Sequence, residues 1–377
     1  MKKIGFIINP VAGLGGRAGF KGSDLIENQK KALEMGYEKL ASKRALECFR
    51  QIHASPDVLF ITAPGELGAD ILNERGLNYQ VVPFDTITGT RQDSLECIHL
   101  FIEETVDLIV FCGGDGTARD ICEANTAKIP VLGIPAGVKM YSGCFAVNPR
   151  IAGNLLNSYL LGRSTATELR EVMDIDEEIL GTRGNSPKLY GYLNTISEGS
   201  KLQGSKVASS TTFNEAEVLA DYLIANMKPD TLYLIGPGST TYRIKESLGV
   251  DGTLLGIDVV MNGQLISKDA NEKTLLELLE ASECSGNGEK KRAEIIVTCI
   301  GGAGFVFGRG NQQFSPKIIK IVGKEHIRLA VTKSKLAGLW QKPMLVDTGD
   351  SAVDEYLCGY YRIDFSDKES AMYKIEM

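Results

Sequence analysis

Short, mostly apolar runs alternate with amphipathic segments over the first part of the chain. The clearest helical segment repeats apolar residues at the spacing of one helix face, and these residues are Ala41, Ala45, Cys48, Phe49 and Ile52. Runs of strand length lie between such segments, and we predict strands at residues 4–9, 58–62, 79–83, 108–112 and 130–135. Because strands that alternate with helices usually form parallel sheets with right-handed crossovers, we expect an α/β N-terminal domain on a parallel sheet.

The pattern changes near residue 148, where we place a domain boundary at the end of residues 1–148. Shorter strand-like pieces follow, separated by turn residues, at 171–176, 188–193, 232–236 and 293–300. Residues 149–322 are therefore predicted to form a β-rich domain, with a polar, glycine-rich surface loop at 283–292. Residues 323–377 form a C-terminal tail with α/β character, and packing of this tail against the first domain is one arrangement that we consider.

One strand leads directly into a cluster of glycines. Leu108–Cys112 is followed by Gly113-Gly114-Asp115-Gly116-Thr117, and the composition of residues 118–125 is compatible with a helix. Glycines at this place let a phosphate approach the backbone, and the N–H groups of the turn and of the helix start suit an anion. Asp115 would repel a phosphate, so its carboxylate is better suited to hold a metal or to accept a proton from an attacking hydroxyl. The alternative is a plain strand–helix turn whose backbone amides satisfy Asp115.

Two further loops follow predicted strands of the first domain. Asn9-Pro10 and the glycines from Gly13 onward come after the first strand, at a typical position for a phosphate loop. Lys139 follows the strand at 130–135 and would be a movable cation near transferring phosphates. The alternatives are a flexible glycine loop and an exposed loop lysine.

Two segments of the second half carry polar side chains among glycines. Gly238-Ser239-Thr240-Thr241 follows the strand at 232–236, and Arg309, Asn311 and Gln312 lie in the glycine-rich segment 301–313. Arginine and amide side chains can recognise a purine, a ribose or a phosphate. For 301–313 the alternative is a glycine-rich turn with satisfied amides.

Charge and composition exclude several other classes of function. The 377 residues carry 41 Lys and Arg against 48 Asp and Glu, which gives a net charge of −7 and argues against non-specific nucleic-acid binding. No apolar run has the length of a membrane span, and Pro10 interrupts the short apolar N-terminus, which is better explained as a first strand than as a signal peptide. The eight cysteines form no C-x-x-C pair, which suits a reducing cytoplasm, and the three histidines lack metal-ligand spacing.

The glycine segments together resemble the ATP-NAD kinase family. Gly113–Thr117 resembles a signature that NAD kinases share with 6-phosphofructokinases and with diacylglycerol or sphingosine kinases. Pro237–Tyr242 resembles the Thr-Gly-Ser-Thr-Ala-Tyr motif of NAD kinases, which contacts the dinucleotide. Gly133–Met140, Gly252–Asp258 and Gly301–Gln313 are similar to segments of a longer prokaryotic branch, which includes the protein X of acetoin-catabolism clusters.

This resemblance implies a fold, an activity and a set of site residues. The fold would be NAD kinase-like, with a nucleotide-binding α/β domain, a β-rich domain and the active site between them. The activity would be phosphoryl transfer from ATP to the 2′-hydroxyl of NAD, giving NADP, with Asp115 as the catalytic residue and Mg²⁺ carried mainly by the phosphates. The implied phosphate-binding residues are Asn9, Pro10, Gly13, Gly113, Gly114, Gly116, Thr117 and Lys139. The implied substrate-binding residues are Gly238, Ser239, Thr240, Thr241, Arg309, Asn311 and Gln312. A cytoplasmic homo-oligomer with NAD and ATP as partners, and without nucleic-acid or membrane partners, is expected.

The sequence departs from the NAD kinase pattern at the acceptor side. NAD kinases usually carry an Asn-Glu pair that contacts the ribose, whereas Leu193-Asn194-Thr195 has no Glu beside its Asn. The usual Asn-x-Gly segment is replaced by Gly133–Met140. Two alternatives are therefore kept: a kinase of another hydroxyl, on a small metabolite or a lipid, and a catalytically silent NAD(P)-binding regulatory protein.

Overall fold

A computed structural model describes residues 1–16, 18–19, 26–84, 86–137, 140–163, 166–174, 188–197, 213–283, 292–366 and 368–377. The chain forms two compact units. The first consists of Met1–Leu14 and Gly22–Ser205, and the second of Gly15–Lys21 and Lys206–Met377.

The first unit is an open α/β sheet flanked by helices. Its strands are β1 (Lys2–Ile8), β2 (Val58–Thr62), β3 (Tyr79–Val81), β4 (Leu108–Gly113), β5 (Val131–Pro135), β6 (Thr167–Asp174) and β7 (Lys188–Ile196). Its helices are α1 (Ile26–Glu34), α2 (Ala41–Phe49), α3 (Ala69–Glu74), α4 (Arg91–Glu103), α5 (Asp115–Ala124) and α6 (Pro149–Leu160), with a 3-10 turn at Gly65–Leu67. The strand order is β3-β2-β1-β4-β5-β7-β6, and every pair is parallel except β6–β7.

Both faces of this sheet are buried, as expected for a parallel sheet. Ile4, Phe6 and Ile8 of β1 pack against α2 and α6 on one face, whereas Ile7 packs toward α4 and α5 on the other. All six residues of β4 are buried, which explains why this strand is an unbroken apolar run in the sequence. The predicted helix face is confirmed for Ala41, Ala45, Cys48 and Phe49, which lie on α2 and in the core on this side of the sheet. Ile52 lies in the same core but beyond the end of α2.

The described residues of the second unit form two sheets. Its strands are β8 (Thr231–Ile235), β9 (Asp258–Met261), β10 (Gln264–Ser267), β11 (Arg292–Val297), β12 (Phe305–Phe307), β13 (Ile327–Leu329), β14 (Met344–Val346), β15 (Gly359–Asp364) and β16 (Ser370–Glu376). Its helices are α7 (Phe213–Ala225), α8 (Ser239–Ser247), α9 (Glu272–Glu283), α10 (Pro316–Val322), α11 (Lys333–Ala337) and α12 (Ser351–Leu357), with a 3-10 turn at Lys324–His326. The sheet orders are β10-β9-β8-β11-β13 and β12-β14-β16-β15, and one apolar core draws residues from both sheets.

The predicted fold class is confirmed, since a mostly parallel sheet forms the N-terminal part and further sheets form the C-terminal part. The division between the units falls later than the predicted boundary at residue 148. Strands β6 and β7, which we had placed in the second domain, form a hairpin that joins the first sheet through β5. Residues 323–377 belong to the second unit, where they supply β13 to β16.

The difference at the boundary has a simple cause. A change in strand length and composition predicts the boundary at residue 148, but such a change does not reveal which strands pair with each other.

Of the predicted surface loop at 283–292, residues 284–291 lie outside the described residues. In the described part of the chain, no helix is long and apolar enough to cross a membrane.

Phe49 makes the core of the first unit testable. Its fully buried ring lies 4.4 Å from the ring centroid of Phe6 and 5.6 Å from that of Phe60. We expect Phe49→Ala to lower the free energy of unfolding by about 3–5 kcal/mol, because it removes this packing and leaves a cavity. Urea unfolding measures the change. The exposed Leu161 provides the control, since Leu161→Ala should change the free energy by only about 0.5 kcal/mol. Equal effects of the two substitutions would contradict the described core.

Candidate functional site

The order of the strands in the first unit creates a switch point beside β1. The chain runs from β1 to β2 and β3 on one side and then returns to place β4 on the other side of β1. In open α/β sheets, ligands bind at such a point, outside the carboxyl ends of the strands. Asn9 follows β1, and Gly113 ends β4, so the two predicted phosphate loops flank the switch point. They are joined by a hydrogen bond of 2.9 Å from the Asn9 N–H to the Cys112 carbonyl.

The glycines at this edge are required by close approaches of the backbone. A Cβ on Gly113 would lie 2.4 Å from Thr117 Oγ1, and a Cβ on Gly114 would lie 3.1 Å from the Cα of Gly137. Gly13 has a φ of +77°, and a Cβ there would lie 2.2 Å from the carbonyl oxygen of Ala136. The loops after β1, β4 and β5 therefore meet backbone to backbone, and no side chains separate them.

Polar contacts hold the same loops together. Asn9 Nδ2 donates to Thr117 Oγ1 at 3.0 Å, and Asn9 Oδ1 accepts from the Val11 N–H at 3.2 Å. Pro10 lies in the turn directly after β1, and Gly116 lies in the first turn of α5. The first N–H groups of a helix have no partner within the helix, so the start of α5 can donate to an anion. Of the predicted phosphate-binding residues, Lys139 lies outside the described residues.

Asp115 is the first residue of α5, and its side chain is almost completely buried. Its carboxylate accepts from the Tyr141 N–H at 2.6 Å and from the Ser142 N–H at 3.0 Å. Burial raises the pKa of Asp115 to about 7; the Ser142 hydroxyl and the two amides act against this rise, and the negative charge of Asp174 adds to it. The group therefore anchors the loop after β5, and it also changes protonation state near neutral pH.

The surroundings of Asp115 include a charge that sequence reasoning missed. Asp174 ends β6 and pairs with Arg119 of α5, with Nη1 and Oδ2 at 2.9 Å. Arg119 also lies near Asp120, at 3.7 Å from Nε to Oδ1, and Arg91 contacts the same oxygen at 3.0 Å. The sequence pattern predicts β6 in the second domain, so it could not predict that Asp174 lies near Asp115.

The described residues do not form a protein cage for a metal ion. Among them, no group of three or more His, Cys, Asp or Glu side chains could hold a metal ion. Both oxygens of Asp115 already accept backbone N–H bonds. Mg²⁺ commonly keeps several waters and binds through one or two carboxylates plus substrate phosphates, so this donor set fits an ion that arrives with a nucleotide.

In the second unit, Gly238–Thr241 lies at the carboxyl end of β8, which pairs in parallel with β11. Gly238 has a φ of +124°, and a Cβ there would lie 2.7 Å from Thr298 Cγ2. Ser239 begins α8, and Thr241 Oγ1 donates to the Gly238 carbonyl at 3.0 Å. Thr240 Oγ1 is buried and has no hydrogen-bond partner within the described structure. Again a glycine and a helix start follow a parallel strand, which is an arrangement suited to an anion.

Two of the predicted substrate-binding residues in segment 301–313 bond to other residues of the same unit. Arg309 Nη2 lies 2.7 Å from Asp347 Oδ2, and both side chains are buried. Asn311 Nδ2 donates to the Val306 carbonyl at 2.8 Å, and Asn311 Oδ1 accepts from the Gly308 N–H at 3.1 Å. These contacts favour the alternative of a satisfied glycine turn for Asn311. A ligand contact by Gln312 stays a prediction.

A matched pair of glycines tests the close approach of the loops after β1 and β5. Gly13 and Gly36 have φ values of +77° and +83°, but a Cβ on Gly36 would meet no atom within 4 Å. Gly36→Ala should cost only the left-handed backbone penalty of about 1–2 kcal/mol. Gly13→Ala should cost roughly 1–3 kcal/mol more, because it also forces Ala136 away. Chemical unfolding of both variants measures the difference, and equal costs would show that the two loops do not touch in solution.

Comparisons with known proteins match both parts of the chain to models of one family. Residues 4–163 match the model of the ATP-NAD kinase N-terminal domain, and residues 229–375 match that of the ATP-NAD kinase C-terminal domain. No curated protein matches the chain. Among solved structures, the crystal structure of Acinetobacter baumannii MurG aligns with 92% of this chain and 71% of that chain at 12% identity. Its TM-score of 0.23 is too low to indicate a shared fold. The two family matches together span more than half of the chain, so the protein belongs to the ATP-NAD kinase family and is an ATP-dependent phosphotransferase that acts on a hydroxyl acceptor.

Proposed function

We propose that the protein is an NAD kinase, which transfers the γ-phosphoryl group of ATP to the 2′-hydroxyl of the adenosine ribose of NAD and forms NADP. The observation that carries this proposal is the Asp115 carboxylate, which is buried among glycine loops at the switch point of the first sheet. The matches to both ATP-NAD kinase domains support the choice of NAD and ATP as substrates.

The glycine loops are proposed to hold the triphosphate. The backbone of Gly13, Gly113 and Gly114 and the start of α5 at Gly116 and Thr117 would supply N–H donors. Asn9, whose own N–H bonds to the Cys112 carbonyl, would contribute its side-chain amide. Pro10 would shape the first loop, and Lys139 would supply a positive charge. Mg²⁺ would bind mainly through the phosphate oxygens and neutralise their charge. Phosphoryl transfer has a loose transition state, so positioning and charge neutralisation provide most of the catalysis.

Asp115 is proposed to accept the proton of the attacking hydroxyl. Each carboxylate oxygen has two lone pairs, so both oxygens can keep their backbone N–H bonds and still accept a further hydrogen bond. The hydroxyl oxygen bonds to the γ-phosphorus while its proton passes to Asp115, and the bond from that phosphorus to the bridging oxygen of ADP breaks. A pKa raised to about 7 makes this carboxylate a far better proton acceptor than an ordinary aspartate.

The acceptor dinucleotide is proposed to bind at the start of α8. Ser239 would present its backbone amide, and Gly238, whose own N–H bonds to the Leu254 carbonyl, would let the ligand approach the main chain. Ser239, Thr240 and Thr241 would present hydroxyls. The buried Thr240 Oγ1, which has no partner within the described structure, supports a bound polar group at this place. Arg309, Asn311 and Gln312 remain candidates for further contacts with the dinucleotide. The internal hydrogen bonds of Asn311 weigh against a ligand contact by that residue.

A kinase of another hydroxyl is the second candidate, because Asn194 on β7 is followed by Thr195 and not by the usual Glu. Purified protein with labelled ATP, Mg²⁺ and a panel of acceptors separates the two. Label in NADP, and in no other product, is the result that the proposal expects. Label in a different acceptor would replace NAD, and binding of NAD without turnover with any donor would indicate a silent regulatory protein.

Two buried aspartates of α5 test the role of Asp115. Asp115→Asn has nearly the same size, but it cannot accept the proton, and its amide nitrogen cannot accept one of the two backbone N–H bonds. We therefore expect kcat to fall by about 10²–10⁴-fold. Asp120 is also buried, with a pKa raised to about 6 chiefly by desolvation, but it pairs with Arg91 of α4. Asp120→Asn should therefore keep kcat within an order of magnitude. Steady-state assays of NADP formation compare them, and normal turnover of Asp115→Asn would remove the proposed base.

The pKa of Asp115 also predicts a pH dependence. Only the ionised carboxylate accepts a proton, so kcat/KM should rise about tenfold per pH unit below roughly pH 7 and level off above it. A bound triphosphate adds negative charge nearby and should move the midpoint of the kcat profile to higher pH. Initial rates over about pH 5–9 in one buffer series measure both profiles. A flat profile through neutral pH would be inconsistent with this assignment.

A further inference from the structure

A fully buried ion pair lies behind the segment that is proposed to receive the acceptor. Lys245 of α8 and Asp258 of β9 are both inaccessible to solvent, with Nζ and Oδ2 at 2.6 Å. Lys245 Nζ also donates to the Thr253 carbonyl at 2.8 Å and to the Gly256 carbonyl at 3.1 Å. The three N–H bonds of the ammonium group therefore each have an acceptor, and two of these acceptors belong to one loop.

Asp258 completes the attachment of this loop. Its carboxylate accepts from the Thr253 N–H at 2.7 Å, from the Thr253 hydroxyl at 3.0 Å and from the Asp269 N–H at 2.9 Å. Burial acts to raise the pKa of Asp258, but the bonds from Lys245 and from the two amides lower it on balance. Burial also lowers the pKa of Lys245, which Asp258 opposes. The pair thus holds residues 253–256 from both ends.

The backbone of the loop has little freedom to adopt another path. A Cβ on Gly252 would lie 2.7 Å from Lys245 Cδ, and a Cβ on Gly256 would lie 1.9 Å from Asp269 Oδ1. Between these two glycines, the carbonyl of Leu254 accepts from the N–H of Gly238 at 2.9 Å. Ile235 pairs with Asp258, so this contact lies at the carboxyl end of β8, directly before α8 begins.

A buried ion pair is a poor way to gain stability, because the loss of hydration offsets most of the attraction and an apolar pair of similar volume is often as stable. What Lys245 and Asp258 do is to fix main-chain groups of the loop, and through Leu254 they fix Gly238. We propose that Lys245 and Asp258 are positioning residues for the acceptor: they set the direction of the Gly238 peptide and of the first amides of α8. This inference rests on the proposed function, in which that helix start binds the dinucleotide.

The test replaces both charges at once, so that neither is left buried without its partner. The double variant Lys245→Met, Asp258→Leu should stay folded, but hydrogen exchange at the Gly238 amide should be at least about tenfold faster. With NAD as the probe, the loss of orientation should lower kcat/KM by roughly 10- to 100-fold, mostly through a higher KM for NAD, while the KM for ATP stays unchanged.

A second ion pair of the same unit, in which only the carboxylate is buried, provides the control. Glu294 of β11 pairs with Arg328 of β13, and neither side chain bonds to residues 253–256 within the described structure. The double variant Glu294→Leu, Arg328→Met should keep the exchange rate of Gly238 and both KM values.

Three outcomes would overturn the inference. These are a folded Lys245–Asp258 double variant with wild-type exchange at Gly238, one with an unchanged KM for NAD, and one in which both KM values rise together. If the double variant does not fold, Thr253→Val decides, because it removes only a hydroxyl, which donates to Asp258 and accepts from the Gly256 N–H. It should raise the KM for NAD by about 2- to 10-fold. If the wild-type protein does not phosphorylate NAD, the proposed function fails, and the exchange comparison alone supports or overturns the positioning role.

Discussion

A buried carboxylate needs hydrogen bonds, and the way Asp115 obtains them organises the first unit. Desolvation of a charge is costly unless donors surround it, and Asp115 finds two of them in the backbone of Tyr141 and Ser142. The bonds tie the start of α5 to the loop after β5, while Asn9 and Gly13 bring the loop after β1 to the same place. One side chain thereby joins two of the three loops, and the same burial that makes it an anchor raises its pKa toward neutrality.

The two units use the same local device for different chemistry. In each unit, a glycine turn connects a strand that has a parallel neighbour to the start of a helix: Gly113 and Gly114 lie between β4 and α5, and residues 236–238 lie between β8 and α8. The first amides of such a helix can donate to an anion. In the first unit a carboxylate occupies the helix start, which suits acid–base work. In the second unit Ser239, Thr240 and Thr241 occupy it, which suits recognition of hydroxyl and phosphate groups. This difference between the two helix starts agrees with the ATP-NAD kinase family, whose reaction uses a phosphoryl donor and a hydroxyl acceptor.

The features that could be predicted from the sequence are those that a local pattern of residues determines. Five strands of the first sheet were predicted to within two residues, because each is a short apolar run bounded by turn residues. The glycines at 113 and 114 were recognised from their place after β4. Pairing over long distances was not predictable: the pairing of β7 with β5, the charge of Asp174 near Asp115, and the ion pair of Arg309 with Asp347 join residues far apart in the chain. The polar side chains of 301–313 therefore resembled ligand contacts, although Asn311 closes its own turn.

The central claim is that the Asp115 carboxylate receives the proton of an acceptor hydroxyl. The most direct measurement is a crystal structure with NAD and a non-hydrolysable ATP analogue bound together. The account predicts the 2′-oxygen of the adenosine ribose at about 2.6–3.2 Å from a carboxylate oxygen of Asp115, with the γ-phosphate on the glycine loops. A complex in which Asp115 still contacts only the Tyr141 and Ser142 amides, while the acceptor hydroxyl faces another base, would contradict it.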